Sequence, residues 1–570
     1  MAEPLTDQNT NHQEHLFAPR NIRELIDHFL EAGKTITSAD SIYSVYDHAQ
    51  VMINFIKTND GKIIEAEELA IVISGIIKLN SERTQNNDSD SWIQNYIHSV
   101  GSLRDEDSKH TAYYALGIAL AKEQAKLCVE GWKCKYLDPQ IPLAEHNSRL
   151  GITQQEVSDL ILGQVPIPNE KLMDFRLPVF ADIILQVLNE NDLEAIRLLA
   201  LENLASLTLA DERNPRLNWM NAQEALGMHS TMMEMLGEDG LAMELRNRAL
   251  MQLVPEHFLQ KALDHISSVE ELYQKSNRIN AILKDSWKKT MNRLQLTEAG
   301  IHIQTRIKTV GSIAEKLRTG RHISDLIASR VIVPEHNEPA LLVADYVMSL
   351  ISSINRIPDL REQVEFEHPK GEAPITINYG SRLDIERALE HIKSYFYIRK
   401  ESIQQTETGF RIEYQARGRT IIIELSTART PRIPGYEDQI GYQAAHIVTK
   451  FADQKCFEMQ VVDRFAHDNN THGYPSHALY KAALSAGTTG DKSETQSFVD
   501  EFLERTKDIN QRKAMLYTED SGNRRNPRWL RVVTLQQLQG LLLEHNSLIP
   551  NSVIASLCPA DYQIITGQQL

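Results

Sequence analysis

Two periodicities divide the chain. From Asn21 to about Ser286 apolar positions recur at helical spacing almost throughout, while from Ile301 to about Val462 short alternating runs appear between helical stretches. In NIRELIDHFLEAG, Ile22, Leu25, Ile26 and Phe29 follow the i, i+3, i+4, i+7 template, and Gly33 stands where a C-terminal cap is expected. HTAYYALGIALAKEQAKLC and the stretch from LPVFADIILQVL to LASLTL continue the helical pattern. Polar breaks at NSERTQNNDSDS and LADERNPR read as loops. No repeat of fixed period is present, which excludes a solenoid of matched units.

After the helical run VEELYQKSNRINAILKDSWKKTMNRL the pattern changes. GIHIQTRIK alternates as a strand, and Gly311 with Ser312 then opens a short helix. SRVIV reads as a buried strand, ALLVADYVMSLISSI as a helix, and GFRIEYQARGRTIIIEL as two strands joined near Gly418. GYQAAHIVTKF and CFEMQVV are strand-like, and a Ser493/Gln496 capping box precedes a further helix. The fold class is therefore multidomain α+β, with an all-α N-terminal half followed by a mixed-sheet α/β domain.

Composition narrows the function. A chain of 570 residues, 42% hydrophobic and 24% charged, is ordinary globular material for three or four domains. No apolar run approaches a membrane span, and the polar opening MAEPLTDQNTNHQEHLFAPR reads as a disordered leader rather than a secretory signal. We expect a cytoplasmic protein with no membrane association. The net charge of -17 argues against general DNA binding, so an anionic substrate must meet a local basic cluster. Four scattered cysteines, Cys128, Cys134, Cys456 and Cys558, suggest neither a disulfide framework nor a zinc site.

Such a basic cluster exists. Between Thr305 and Arg330 six lysines or arginines face two carboxylates, Glu315 and Asp325. Arg306, Lys308, Ser312 and Lys316 lie across a strand, a turn and a helix start, where unpaired N–H groups and flanking cations suit a phosphate. Asp325 and Glu458 sit at the end and on the face of apolar strands, and magnesium needs only one or two such carboxylates when a polyphosphate supplies the remaining ligands. His467, His472 and His477 recur every five residues, a spacing that fits no zinc helix. Neither a P-loop nor a dinucleotide fingerprint occurs. These pieces point to a site for a magnesium-bound polyphosphate nucleotide.

Together the motifs resemble the RelA/SpoT family of alarmone (ppGpp) synthetases, which transfer pyrophosphate from ATP to the 3′-hydroxyl of GDP or GTP. The resemblance rests on Arg306, Lys308, Ser312, Ile313 and Lys316; on Asp325 to Val333; on GYQAAH from Gly441; and on Glu458, Gln460, His467, Gly473, His477, Tyr480 and Lys481. It covers about Arg306 to Lys481. It implies a nucleotidyltransferase-like synthetase domain over 295–485, with an extra segment at about 359–429, behind a degenerate HD-hydrolase-like domain over 21–210 and a helical connector over 211–294. Residues 1–20 remain as leader and 486–570 as a C-terminal helical extension.

By resemblance, Asp325 and Glu458 hold Mg2+ and carry catalysis, Glu458 also taking the proton of the attacking hydroxyl. Arg306, Lys308, Ser312 and Lys316 hold the ATP phosphates, Tyr442 stacks on the acceptor base, and Arg330, Gln460 and His467 complete the nucleotide site. The partners implied are ATP and a guanine nucleotide or other nucleotide acceptor, and a homo-oligomer is left open. The first His-Asp pair in the chain is His467–Asp468, so no hydrolase activity is expected of the helical half. The chain departs from the family pattern at Ile440, in place of an Asn, at Asp438, near a Lys, and at Val462, in place of an Arg. A catalytically impaired nucleotide-sensing or protein-binding module is the alternative reading.

Overall fold

The protein is described by a computed structural model over residues 19–83, 96–137, 184, 187, 193–356, 364–365, 375–427, 441–479, 499–500 and 503–504, apart from short breaks. The leader up to Ala18, the Ser493/Gln496 box, Gly418, Asp438, Ile440, His477, Tyr480 and Lys481 lie outside the described residues; of the C-terminal extension only 499–500 and 503–504 are described, and they are helical. The chain is multidomain α+β and forms two compact units. One holds the described residues up to Gly131 and those of 187–214; the other holds those from Pro215 onward.

The first unit is helical: α1 (Ile22–Gly33), α2 (Val45–Asp60), α3 (Glu65–Arg83), α4 (Glu106–Leu137, extending past the unit's edge) and α5 (Leu193–Thr208). Asn21 caps α1 by accepting the Glu24 N–H, and Ile22, Leu25, Ile26 and Phe29 are buried as their spacing predicts. Gly33 departs from its expected role. The helix runs through it and closes at Lys34 in right-handed conformation, and a Cβ added at Gly33 would lie 3.4 Å from Val45 at the start of α2. Charges enter this core in pairs: the fully buried Lys122 on α4 donates to Glu123 and contacts Glu202 on α5, and Arg197 pairs with Glu67 at 2.9 Å.

The second unit begins with α6 (Pro215–Glu224), a π-helical turn (Ala225–His229), α7 (Ser230–Met235), α8 (Asp239–Leu253), α9 (Glu256–Ile266) and α10 (Val269–Leu294). Then come β1 (His302–Ile307), α11 (Val310–Arg318), β2 (Ile327–Val333), α12 (Pro339–Arg356), β3 (Val364–Glu365), β4 (Ile375–Tyr379) and α13 (Arg382–Phe396). The chain continues as β5 (Ile403–Gln405), β6 (Gly409–Ala416), β7 (Arg419–Thr427), β8 (Ala445–Phe451), β9 (Cys456–Asp463) and α14 (Arg464–His472). The strands form one mixed sheet in the order β1-β2-β9-β8-β4-β7-β6-β5, with β3 beside β8. The segment 359–429 thus continues the sheet: its strand β4 pairs with β8 on one side and β7 on the other.

The register gives the sheet two unlike faces, because side chains alternate along each strand. Ile303, Val331, Val461, Ala445, Ile377, Leu425 and Phe410 lie side by side on one face, joined to a core that includes residues of α10, α12 and α13. On the other face a single polar row crosses eight strands: Gln304, Arg330, Gln460, His446, Thr376, Glu424, Arg411 and Gln404.

Helices α10, α12 and α13 are tied to one another through one buried carboxylate. Asp345, fully buried on α12, accepts from Arg293 of α10 at 2.7 Å and contacts His391 of α13 at 2.8 Å.

Candidate functional site

The basic strand and helix meet at Asp325. Lys308 follows β1, and its N–H donates to the Leu326 carbonyl at 2.8 Å, which fixes its stem beside the start of β2. Its Nζ donates to Asp325 Oδ2 at 2.7 Å, while Lys316 in the last turn of α11 donates to Oδ1 at the same distance. Each carboxylate oxygen therefore holds one ammonium, and only 12% of the Asp325 side chain is exposed. Burial alone would raise its pKa; the two lysines outweigh that and hold it below the ordinary carboxylate range. Lys308 is displaced downward, chiefly by burial and further by the charges of Lys316 and Arg306, with Asp325 opposing.

Glu458 stands on the polar face, level with Ala328 of β2 and Val448 of β8. Its Oε1 accepts from His446 Nδ1 at 3.0 Å and from Gln460 Nε2 at 3.1 Å. An ionised carboxylate has no proton to give, so the histidine nitrogen is the donor. Burial pushes the Glu458 pKa up, the bonds from His446 and Gln460 pull it further down, and the net position is below the usual range. The Asp325 charge acts on Glu458 in the opposite, upward direction.

Gln460 links this carboxylate to the rest of the row. Its Oε1 accepts from Arg330 Nε and from the Tyr442 hydroxyl, each at 3.3 Å, and the Tyr442 ring lies 5.6 Å from that of His446. Arg306 projects from β1 on the Glu458 side of the sheet, paired in register with Ala328. Contacts therefore join Arg330, Tyr442, His446, Glu458 and Gln460 in one group on the polar face, and Lys308, Lys316 and Asp325 in a second group at the start of β2.

Ser312 stands in the first turn of α11, as its motif predicts, and His467 stands on the helix after β9. Ser312 accepts from Thr309 Oγ1 at 2.9 Å, and the Gly311 amide beside it donates to Asn247 of α8 at 3.0 Å. That amide is committed to packing, so a phosphate at this helix start would rely on Ser312 and the lysines. His467 lies on α14, past the C-terminal end of β9, whereas Glu458 is near that strand's beginning. His446 escaped the sequence reading as a site residue; its place beside the E-x-Q strand follows only from the β8–β9 register.

The donor set fits magnesium. Two ionised, largely buried carboxylates supply the one or two protein ligands such an ion takes, and substrate phosphates and water supply the others. Among the described residues no group of three or more His, Cys, Asp or Glu could hold a metal by itself, and a substrate-assisted site does not require one.

No protein-family model matches the chain, and no curated protein matches it. Among the described residues no helix is long and apolar enough to cross a membrane.

Proposed function

We propose that the protein is a magnesium-dependent pyrophosphokinase, moving pyrophosphate from ATP to the 3′-hydroxyl of a guanine nucleotide or another nucleotide acceptor in the cytoplasm. The observation that carries this reading is the meeting of two lysines on the largely buried carboxylate of Asp325, at the start of the strand that pairs with the one bearing Glu458. In chemical terms, the acceptor oxygen forms a bond to the β-phosphorus of ATP as the bond to the α-phosphate oxygen breaks, and AMP leaves. Phosphoryl-type transfer of this kind needs alignment and charge neutralisation more than covalent chemistry.

Arg306, Lys308 and Lys316 would neutralise the phosphates, and Arg330, with Tyr442 and Gln460, would orient the nucleotide on the polar face. Asp325 and Glu458 would hold magnesium, which supplies further neutralisation of the polyphosphate when bound. A general base works best with a pKa near the operating pH, and Glu458 is held low. Its main role here is therefore charge placement, with proton acceptance secondary. The sheet and its covering helices would be the nucleotidyltransferase-like synthetase domain, and the helical first unit a degenerate HD-hydrolase-like module without hydrolase activity.

A second reading, a nucleotide-sensing module with impaired catalysis, is favoured by Val462. This residue takes the place of an arginine in the family pattern and is buried at 2% exposure, so no cation stands at that position of β9. Incubating the protein with ATP labelled at the β- and γ-phosphates and a panel of nucleotide and RNA acceptors separates the two. Transfer of label with release of AMP supports the enzyme; nucleotide binding without transfer to any acceptor supports the sensor.

A further inference from the structure

We propose that Lys308 and Lys316 form a latch on Asp325, so that the divalent cation and the polyphosphate are admitted together and neither is held well alone; this rests on the nucleotide-transfer reading above. Each Asp325 oxygen already carries one ammonium at 2.7 Å. With the three side chains 12–23% exposed, water does little to screen them. A cation approaching Asp325 meets two positive charges in the place it would occupy. It enters only if the lysines leave, and they leave only if another anion receives them.

A polyphosphate is such an anion. It offers oxygens on several phosphorus atoms, and a lysine ammonium on its flexible four-carbon stem can turn toward them while the backbone stays still. The Lys308 backbone is anchored on Leu326, and Lys316 belongs to a helix packed on α8 and α9, so the movement is confined to side chains. Polyphosphate arriving alone would draw the lysines away and leave a largely buried carboxylate with no counter-charge. Each ligand therefore removes the obstacle to the other, and the coupling is reciprocal.

The test is a manganese titration of the full chain followed by electron paramagnetic resonance, with and without an ATP analogue carrying a methylene bridge between its α- and β-phosphorus atoms. Without the analogue, the Lys308→Met/Lys316→Met protein is expected to bind manganese at least ~10-fold more tightly than wild type, because two like charges near the ion are gone. Adding Asp325→Asn to that background should abolish the gain. If the double variant does not fold, the single variants carry the test, each with a smaller gain. Equal manganese affinity in wild type and lysine variants overturns the latch, and if wild type still binds the analogue with manganese, the nucleotide-transfer reading survives. A gain without any analogue binding to wild type overturns that reading and leaves the lysine block standing.

Discussion

Individual side chains set the charge state of the site. Glu458 is buried enough to favour its neutral form, yet His446 and Gln460 keep it ionised. Replacing His446 by Ala removes the first of those donors and leaves the burial, so the Glu458 pKa rises. The acid limb of the kcat pH profile is expected to move to higher pH in His446→Ala; an unmoved limb would show that Glu458 is not the group it reports. Asp325→Asn and Glu458→Gln should each lower transfer by at least ~100-fold, since loss of a metal-holding carboxylate removes several kcal/mol of transition-state stabilisation. Steady-state assays with labelled ATP measure this, and near-normal turnover in either variant would break the assignment.

Elements decide whether those side chains meet. Gly311 lets α11 approach α8 closely: an added Cβ would lie 2.7 Å from the Asn247 carbonyl oxygen and 2.8 Å from Leu250 Cβ. Backbone cannot yield as a flexible side chain can, so Gly311→Ala is expected to cost about 1–3 kcal/mol in urea unfolding. It should also weaken ATP binding, because Lys316 rides on the same helix. On the apolar side of the sheet, Asp345→Ala removes the shared acceptor of Arg293 and His391 and should cost about 1–3 kcal/mol by the same measurement. Strand positions were legible from periodicity: β1, β6 and β8 fall within segments whose alternation or apolar runs announce them, and β2, β7 and β9 overrun theirs by one or two residues. The order of those strands was not. Arg330 and Gln460 are 130 positions apart, and nothing local tells either residue of the other. For the same reason His446 looked like one histidine in a motif rather than the donor to Glu458, and Gly33 looked like a cap because its neighbour Val45 belongs to another helix.

Over the whole molecule, the site should register as a pH dependence of folding. Asp325 and Glu458 have lower pKa values folded than unfolded, so the unfolded chain binds protons first as acid is added, and stability falls with pH. Their contribution is complete above the unfolded values, about 3.9 and 4.3, and is lost as pH descends through the folded ones. Asp463 has the opposite sign: burial, with the Asp384 charge assisting, raises its pKa, so it takes a proton in the folded state first and acid relieves it. Lys308, lowered by burial, costs the fold some stability while charged and releases that cost only in the alkaline range. Many other carboxylates titrate in the acid window of a chain with net charge -17, so the informative quantity is a difference. Urea midpoints of wild type and of Asp325→Asn/Glu458→Gln, taken at pH 7, 5, 4 and 3, should lie well apart at neutral pH and converge below about pH 4. A gap that stays constant to pH 3 would mean that the two carboxylates are not held ionised by their neighbours, and the electrostatic account of the site would fail with it.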